Sequence, residues 1–167
     1  MLNVSSRVLT PEDWEILREI RLYALRESAH AFGSNYQREA AFTEEQWVER
    51  LASKRSAIFG LFSEGGELIG IGCILQSEED ASRAGLFMAY IRPEYRKKGL
   101  SKLLYEERIA WAKNHPEVSV IFTHNRKKNI AAQQMNQSFG FVKVAETEPR
   151  QWADGAVERE LIYELRL

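Results

Sequence analysis

Residues 85 to 101 read Gly-Leu-Phe-Met-Ala-Tyr-Ile-Arg-Pro-Glu-Tyr-Arg-Lys-Lys-Gly-Leu-Ser. The apolar run over 85–91 predicts a buried strand, which Arg92-Pro93 closes. The segment from Arg96 to Ser101, called the basic turn below, leads from that strand into a helix predicted over 100–113. A glycine in such a turn lets backbone N–H groups approach a ligand, and the helix N-terminus adds unpaired donors at the positive end of its dipole. Three consecutive cations attract phosphates, so the segment indicates a pyrophosphate site, with a solvated basic turn as the alternative.

A second segment, residues 129–141, reads Asn-Ile-Ala-Ala-Gln-Gln-Met-Asn-Gln-Ser-Phe-Gly-Phe and predicts a short helix that runs into a strand. Together the two segments resemble motifs A and B of the GNAT superfamily, the N-acetyltransferases that use acetyl-coenzyme A. The matching residues are Ile91, Pro93, Arg96 and Gly99, with Ser101 as the final small residue, and then Asn129, Ala132, Gly140 and Phe141. Asn136 departs from the pattern, because the family has an aromatic residue at that place. The resemblance is clear over 57–167 and looser before it.

The resemblance implies an α/β fold with a mixed, mainly antiparallel central sheet and helices on both faces, in a single N-acetyltransferase domain over 1–167. The residues alone predict the order strand, two helices, three strands, helix, strand, helix, two strands. Capping residues predict helix starts at Thr10 and Thr43. Strands are predicted over 4–9, 57–62, 68–75, 118–122, 141–145 and 157–165, whereas 30–42 reads as irregular and 124–128 as a loop.

Composition limits the class of protein. A chain of 167 residues is long enough to bury a core, and its apolar fraction of 44% is ordinary for a globular protein. Residues 1–5 do not read as a signal peptide, and no apolar run approaches the ~20 residues of a membrane span. The single cysteine, Cys73, excludes an internal disulfide and fits a reducing compartment, so we expect a cytoplasmic location without membrane attachment.

The charge is near neutral overall but uneven. A net charge of −1 argues against a protein that coats nucleic acid. Five basic residues stand against Glu94 alone between Arg92 and Lys102, and residues 126–128 form a second basic cluster. Two small patches suit a compact polyanion such as coenzyme A, although the second cluster is equally well read as a solvated loop. Three scattered histidines give no metal spacing, so no metal is expected.

The resemblance also implies which residues hold acetyl-coenzyme A. In the family the strand before the basic turn is splayed from its neighbour, often by a bulge, so that its backbone contacts the pantetheine arm. By position, Ile91 would pair with that arm and the Ala89 N–H would face the thioester carbonyl, unless both simply alternate into a sheet core. The basic turn would hold the phosphates through Arg96, Lys97, Lys98, Gly99, Leu100 and Ser101. Asn129 would cap its helix and also contact the arm.

The catalytic groups are less clear from the sequence. Many GNAT enzymes have a tyrosine at the position of Asn136 that protonates the departing thiolate, and asparagine cannot supply that proton. Tyr90 and Tyr105 are candidate substitutes, although strand alternation would point Tyr90 away from the face of its neighbours. His124 is a candidate general base and His30 a weaker one, with solvated loop histidines as the alternative reading.

The leading hypothesis is therefore direct acetyl transfer from acetyl-coenzyme A to a primary amine in a ternary complex. The mixed charges of the N-terminal helices favour a small amine over a polycation. A coenzyme A-binding module without catalysis is the main alternative, because Asn136 stands at the acid position, and a nucleic-acid-binding protein is a weak one. The acceptor's identity stays open, as does assembly as a monomer or a homodimer.

Overall fold

The computed structural model describes residues 2–167. Its strands are β1 Val4–Val8, β2 Ser56–Ser63, β3 Leu68–Gln76, β4 Arg83–Ile91, β5 Val120–Arg126, β6 Val142–Glu146, β7 Arg150–Gln151, β8 Val157–Glu158 and β9 Glu160–Arg166. Its α-helices are α1 Trp14–Glu27, α2 Tyr36–Ala40, α3 Glu44–Ala52, α4 Leu100–Lys113 and α5 Ile130–Ser138. Short 3-10 turns cover Pro11–Asp13, Ala29–Ala31 and Pro93–Tyr95.

Seven strands form one twisted layer in the order β1-β2-β3-β4-β5-β9-β6, and β7 and β8 form a separate hairpin. Every neighbouring pair in the large sheet is antiparallel except β4 and β5, which run parallel. The helix α4 packs on β2, β3 and β4, while α1 and α3 belong to a second cluster on the other side. The predicted mixed, mainly antiparallel α/β sheet with helices on both faces is confirmed.

Two apolar clusters hold these layers together. Leu100 and Leu104 of α4 pack with Ile69 and Ile74 of the sheet in one cluster. The second cluster joins Leu17, Ile20 and Trp47 from the N-terminal helices to Ile58 and Ile71. Each fully buried side chain of this size contributes about 1.5–3 kcal/mol, so the sheet is fixed from both faces.

The capping signals define the N-terminal helices as predicted. Thr10 begins the first helical segment, where the Asp13 carboxylate accepts the Thr10 N–H at 2.7 Å. Thr43 begins α3 with a complete capping box, since its hydroxyl accepts the Gln46 N–H and the Gln46 side chain accepts the Thr43 N–H. Such reciprocal bonds satisfy donors that a helix start leaves unpaired.

Three expectations about local structure were wrong. The segment 30–42 is not wholly irregular, because Asn35 caps the short helix α2 and the Arg21–Glu39 ion pair fastens that helix to α1. Residues 124–126 continue β5 instead of forming a loop, since β9 pairs with them through to Glu160. Residues 157–165 are not one strand, because Val157 and Glu158 pair with β7 in the separate hairpin and β9 begins at Glu160.

The strands β4 and β5 separate soon after they start. They pair only where Arg83–Gly85 meet Val120–Phe122. Further along, Ile71 lies opposite Tyr90 and Cys73 opposite Phe87, so Gly72 faces both Met88 and Ala89. This extra residue on β4 is a β-bulge, in which Met88 takes a left-handed φ of 58°. The splay and the bulge together open the middle of the sheet.

Candidate active site

A cleft of about 1150 Å³ occupies the opening between β4 and β5. Leu86 to Ala89 line one wall, and Thr123 to Arg126 line the other. Residues 30–34 and the segment around Trp152 close it on the α1 side of the sheet. The cleft has the size expected of a small-molecule site and lies where the parallel strands part.

The bulge decides which way the side chains of β4 point. Leu86 and Ile91 both pack into the cluster on the α4 side, although five positions separate them and strict alternation would place them on opposite faces. Tyr90 consequently packs into the cluster of α1. The Arg92 N–H bonds to the Ile69 carbonyl, so the backbone groups of Ile91 are directed away from β3. Ala89 is exposed at the cleft wall.

The basic turn contains two left-handed residues on either side of Lys98, namely Lys97 with a φ of 60° and Gly99 with a φ of 79°. Among residues 2–167, Lys97 and Met88 are the two non-glycine residues with positive φ, and each costs on the order of 1 kcal/mol. A Cβ added to Gly99 would meet no atom within 4 Å, so the glycine is required by the backbone conformation and not by neighbours. Turns with such residues form concavities that bind anions.

The cations of the basic turn differ in their contacts and exposure. Arg96 is committed within the protein, since its Nε donates to the Ile91 carbonyl at 2.9 Å and its Nη2 lies 2.6 Å from the Glu27 carboxylate. Lys97 and Lys98 are exposed, and the Leu100 side chain is buried in the core. The turn does not line the cleft itself but follows directly from its β4 wall.

Glu27 connects α1 to both the basic turn and β4. Its carboxylate accepts hydrogen bonds from Arg96, Ser28 and the Tyr90 hydroxyl, the last at 3.0 Å. The Arg96 hydrogen bond is the main reason that the pKa of Glu27 falls to about 2. Burial raises the pKa of Tyr90, and the same carboxylate adds to that rise. Tyr90 is therefore held away from the cleft, which it does not line.

Asn136 and Tyr105 meet at the cleft. Asn136 is 1% exposed, and its amide donates to the Asn125 side chain of β5 at 3.0 Å. The Tyr105 hydroxyl donates to the Asn136 side-chain oxygen at 2.6 Å, while its ring stacks on Phe139. Burial raises the pKa of Tyr105, and the charge of Arg108 opposes that rise. A tyrosine from α4 thus brings its hydroxyl to the place where the family pattern has an aromatic residue on α5.

Arg108 also lines the cleft, and the sequence did not identify it. It is 1% exposed, and its Nε donates to the Leu104 carbonyl at 2.9 Å. Burial lowers its pKa to about 10, so the guanidinium stays charged at neutral pH. Helical spacing placed residue 108 near the face that carries Leu104, where an arginine is unusual. That departure from the apolar pattern was the available signal.

His124 and Glu160 form a hydrogen-bonded pair at the cleft wall. The His124 Nδ1 lies 3.0 Å from the Glu160 carboxylate, which also pairs with Arg150. The His124 bond is the largest cause of the lowered pKa of Glu160. His30 lines the cleft as well, and its carbonyl accepts a bond from Arg126 at 2.8 Å. Two of the three histidines therefore lie in the same cleft.

Asn129 caps α5, since its side chain accepts the Ala132 N–H at 3.1 Å. It is exposed and lines the cleft together with Ala132. Of the residues predicted from sequence, Tyr90, Ile91 and the basic turn lie outside the cleft, and those that line it are His30, Ala89, Tyr105, His124, Asn129 and Asn136.

The fold matches solved acetyltransferase structures along nearly all of its length. An acetyltransferase of the GNAT family from Streptococcus pneumoniae is 21% identical, with a TM-score of 0.87 over 99% of this chain and 100% of that one. A putative acetyltransferase from Acinetobacter baylyi is 23% identical, with a TM-score of 0.83 over 100% and 93%. A putative acetyltransferase from Salmonella typhimurium, solved with its cofactor acetyl-CoA, is 17% identical, with a TM-score of 0.81 over 99% and 94%.

At sequence identities of 17% to 23%, the similarity to these solved structures shows a shared fold and no more. A comparison with curated protein sequences finds no significant match. No helix within residues 2–167 is long and apolar enough to cross a membrane. The sequence profile of the acetyltransferase (GNAT) family matches residues 20–141, which include the splayed strand, the basic turn and α5. The chain therefore belongs to the GNAT family of acetyltransferases.

Proposed function

We propose that this protein is an acetyl-coenzyme A-dependent N-acetyltransferase that acts on a primary amine of a small molecule. The observation that carries the proposal is the cleft between the splayed strands, with the β4 bulge in one wall and the basic turn directly after that wall. Family membership supports acetyl transfer in general. The amine and the direct mechanism are the proposed part.

The donor side follows from the backbone. The N–H groups of the basic turn and the first turn of α4 would bind the pyrophosphate, with Lys97 and Lys98 adding charge. The Ala89 backbone in the cleft wall would bind the thioester carbonyl, and the N–H of Ile91, whose carbonyl is held by Arg96, would bind the pantetheine arm. Asn129 would contact the same arm. Arg96 braces the turn through Glu27 and is assigned no direct phosphate contact.

Transfer needs one proton to leave the amine and one to reach the sulfur. The amine nitrogen attacks the thioester carbonyl carbon, the C–S bond breaks, and the sulfur takes the electron pair. We assign the proton donor to Tyr105, in place of the family tyrosine: its single hydrogen turns from the Asn136 oxygen to the sulfur, and the phenolate that remains regains a proton from solvent. We assign the base to His124, because Glu160 orients its ring and leaves Nε2 to accept the amine proton. Tyr90 is given a structural role.

An acceptor screen across amine classes tests the proposal, with thiol release as the readout. We expect amine-dependent release of coenzyme A, matched by acetylated amine. A protein that binds acetyl-coenzyme A but transfers nothing to any amine above the control without enzyme would support the non-catalytic binding module instead. We also propose a cytoplasmic location and one domain over 1–167, supported by the single buried cysteine and the continuous sheet.

A further inference from the structure

The charges that line the cleft are unbalanced. They comprise six arginine or lysine side chains and three carboxylates. Each carboxylate already has a cation. Arg126 pairs with both Asp154 and Glu158 at 2.7 Å, and Arg150 pairs with Glu160. Every carboxylate that lines the cleft within residues 2–167 is thus in an ion pair, and the lining as a whole has three more cations than carboxylates.

Among residues 2–167, Arg108 is the buried cation of the cleft that has no carboxylate partner, whereas Arg38 and Lys128, which also have none, are exposed. Within the described part of the chain no carboxylate lies within ion-pair distance of its guanidinium, whose Nε donates to the Leu104 carbonyl and whose Cζ lies 5.0 Å from the centre of the Tyr105 ring. Gly72 makes room for it, since a Cβ at that position would lie 3.4 Å from both Cζ and Nε. A buried charge without a partner costs several kcal/mol, and proteins rarely keep one that nothing complements.

Arg21 adds a second buried donor to the same cleft. Its Nε and Nη2 bind the Glu39 carboxylate at 3.0 and 2.9 Å, and its Nη1 is buried without a hydrogen-bond partner. Arg50 shares Glu39, so this cluster has two cations for one acid. Arg108, Arg50 and Arg21 all act on Cys73, which follows Gly72 on β3, and each opposes the burial that raises the pKa of its thiol. Arg108 contacts β3 at Gly72 from the side of α4, whereas Arg21 lies with Phe32 on the side of α1, so the two guanidinium groups line the cleft from opposite faces of the sheet.

We infer that the acceptor amine carries a carboxylate, which binds to the guanidinium of Arg108 in the cleft. This rests on the proposed function and narrows its acceptor to small amino acids and similar carboxylated amines. A guanidinium binds a carboxylate by charge-assisted, often paired hydrogen bonds, and the ligand's charge replaces the counter-ion that the fold lacks.

The excess of positive charge in the cleft disfavours other acceptors. A polyamine or a lysine-rich peptide would bring further cations to a cleft whose described carboxylates are all paired. A positive surrounding also lowers the pKa of the acceptor's ammonium group, which increases the neutral fraction that can attack a thioester. Carboxylate recognition and amine activation therefore come from one charge distribution.

Matched amines provide the test. Each member of an amino acid panel is assayed beside its primary amide and the amine that lacks the carboxyl group, with acetyl-coenzyme A and thiol release. We expect kcat/KM for the carboxylate form to exceed that of both neutral forms by about 10- to 100-fold, as for a hydrogen bond to a charged group. In Arg108→Met this preference is lost, mainly through KM, while Arg108→Lys keeps part of it. Arg7→Met, at the far edge of the sheet, is the control that retains the preference.

A binding readout is independent of turnover. The carboxylic acids that lack the amino group should raise the melting temperature of the native protein in the presence of coenzyme A and should not raise that of Arg108→Met. Equal or better transfer to neutral amines overturns the inference and leaves the proposed function intact. A loss of kcat that is the same for all three forms overturns it too and assigns Arg108 to the leaving thiolate. No transfer to any amine, with acetyl-coenzyme A still bound, overturns both.

Discussion

At the scale of single residues, the buried arginines Arg108 and Arg21 differ in whether the fold supplies a carboxylate partner. Arg108 has no carboxylate partner within residues 2–167, whereas Arg21 shares a bidentate pair with buried Glu39. Replacing an uncompensated buried charge with an apolar side chain of similar volume is neutral or stabilising, while removing one member of a buried pair strands the other. The two residues should therefore respond in opposite ways.

We predict that Arg108→Met melts at the same temperature as the parent protein or higher when no ligand is bound. Arg21→Met should lose on the order of 3–5 kcal/mol, because Glu39 keeps only its longer contact with Arg50 at 3.2 Å. Thermal and urea unfolding measure both. A marked fall in the stability of Arg108→Met would mean that its charge is compensated within the fold.

The proton donor is a second prediction at this scale. Tyr105→Phe should lower kcat by about 10²- to 10⁴-fold, the usual effect of a positioned acid, with little change in the KM for acetyl-coenzyme A. Tyr90→Phe is the matched control, since its hydroxyl bonds to Glu27 outside the cleft and its loss should change stability more than rate. Full activity of Tyr105→Phe would leave unassisted departure of the thiolate as the simpler account.

Residue roles were the least predictable part of the site. Asn136 was recognised as an anomaly, but its partner could not be named, because Tyr105 reaches it from another helix. Strand alternation correctly predicts that the Tyr90 ring points away from the face of Ile91, because Tyr90 packs in the cluster of α1. The bulge shifts the alternation after Met88, so Ile91 packs on the α4 side together with Leu86. Arg108 could not be identified from the sequence, because its candidacy depends on burial of its guanidinium without a nearby carboxylate, which is visible only in the folded structure.

At the scale of elements, Glu27 and Arg96 join α1 to the basic turn. The folded pKa of Glu27, about 2, lies below its ordinary 4.5, so ionised Glu27 stabilises the fold fully above about pH 4.5 and loses that effect as the pH falls toward 2. Glu27→Gln should therefore melt below the parent at neutral pH, and the two curves should converge toward pH 2. Glu15→Gln, exposed on the same helix, should leave the pH dependence unchanged. A constant difference between Glu27→Gln and the parent at all pH values would contradict the assignment.

The basic turn gives the second prediction for an element. Gly99→Val should weaken acetyl-coenzyme A binding without unfolding the protein, because a β-branched residue resists a φ of 79° and distorts the N–H groups after it. Gly99→Asn should retain more affinity, since asparagine tolerates left-handed φ, and Ser101→Ala should be mild. Titration calorimetry measures all three. An unchanged dissociation constant in folded Gly99→Val would remove the turn from the donor site.

Element boundaries followed from local signals where those signals were strong. The capping residues and the glycine turn predicted the starts of α3 and α4 at the residues observed. The short helix α2 was missed, because a single turn has little periodicity and depends on the contact between Glu39 and Arg21. His124 was assigned to a loop, because its place in β5 is set by pairing with distant β9.

At the scale of the whole molecule, the site is a consequence of strand separation. Only three residue pairs join β4 to β5 before the two strands separate. The apolar clusters on the two faces of the sheet stabilise the strands on either side of this opening. The sequence motifs predicted the β4 wall of the opening and the helix α5 beside it, which lie in segments 85–101 and 129–141, but the β5 wall at Thr123–Arg126 lies outside both segments. The charge of the cleft could not be predicted from these motifs, because the side chains that line it come from many elements, from α1 to the hairpin of β7 and β8.

The structure of the protein with acetyl-coenzyme A bound tests the central claim most directly. We predict that the pyrophosphate contacts the backbone N–H groups of residues 97–101, that the pantetheine arm passes between β4 and β5 beside Ala89 and Ile91, and that the sulfur lies within hydrogen-bonding reach of the Tyr105 hydroxyl. Acetyl-coenzyme A bound at another surface, or bound with its thioester outside the opening between β4 and β5, would contradict the account.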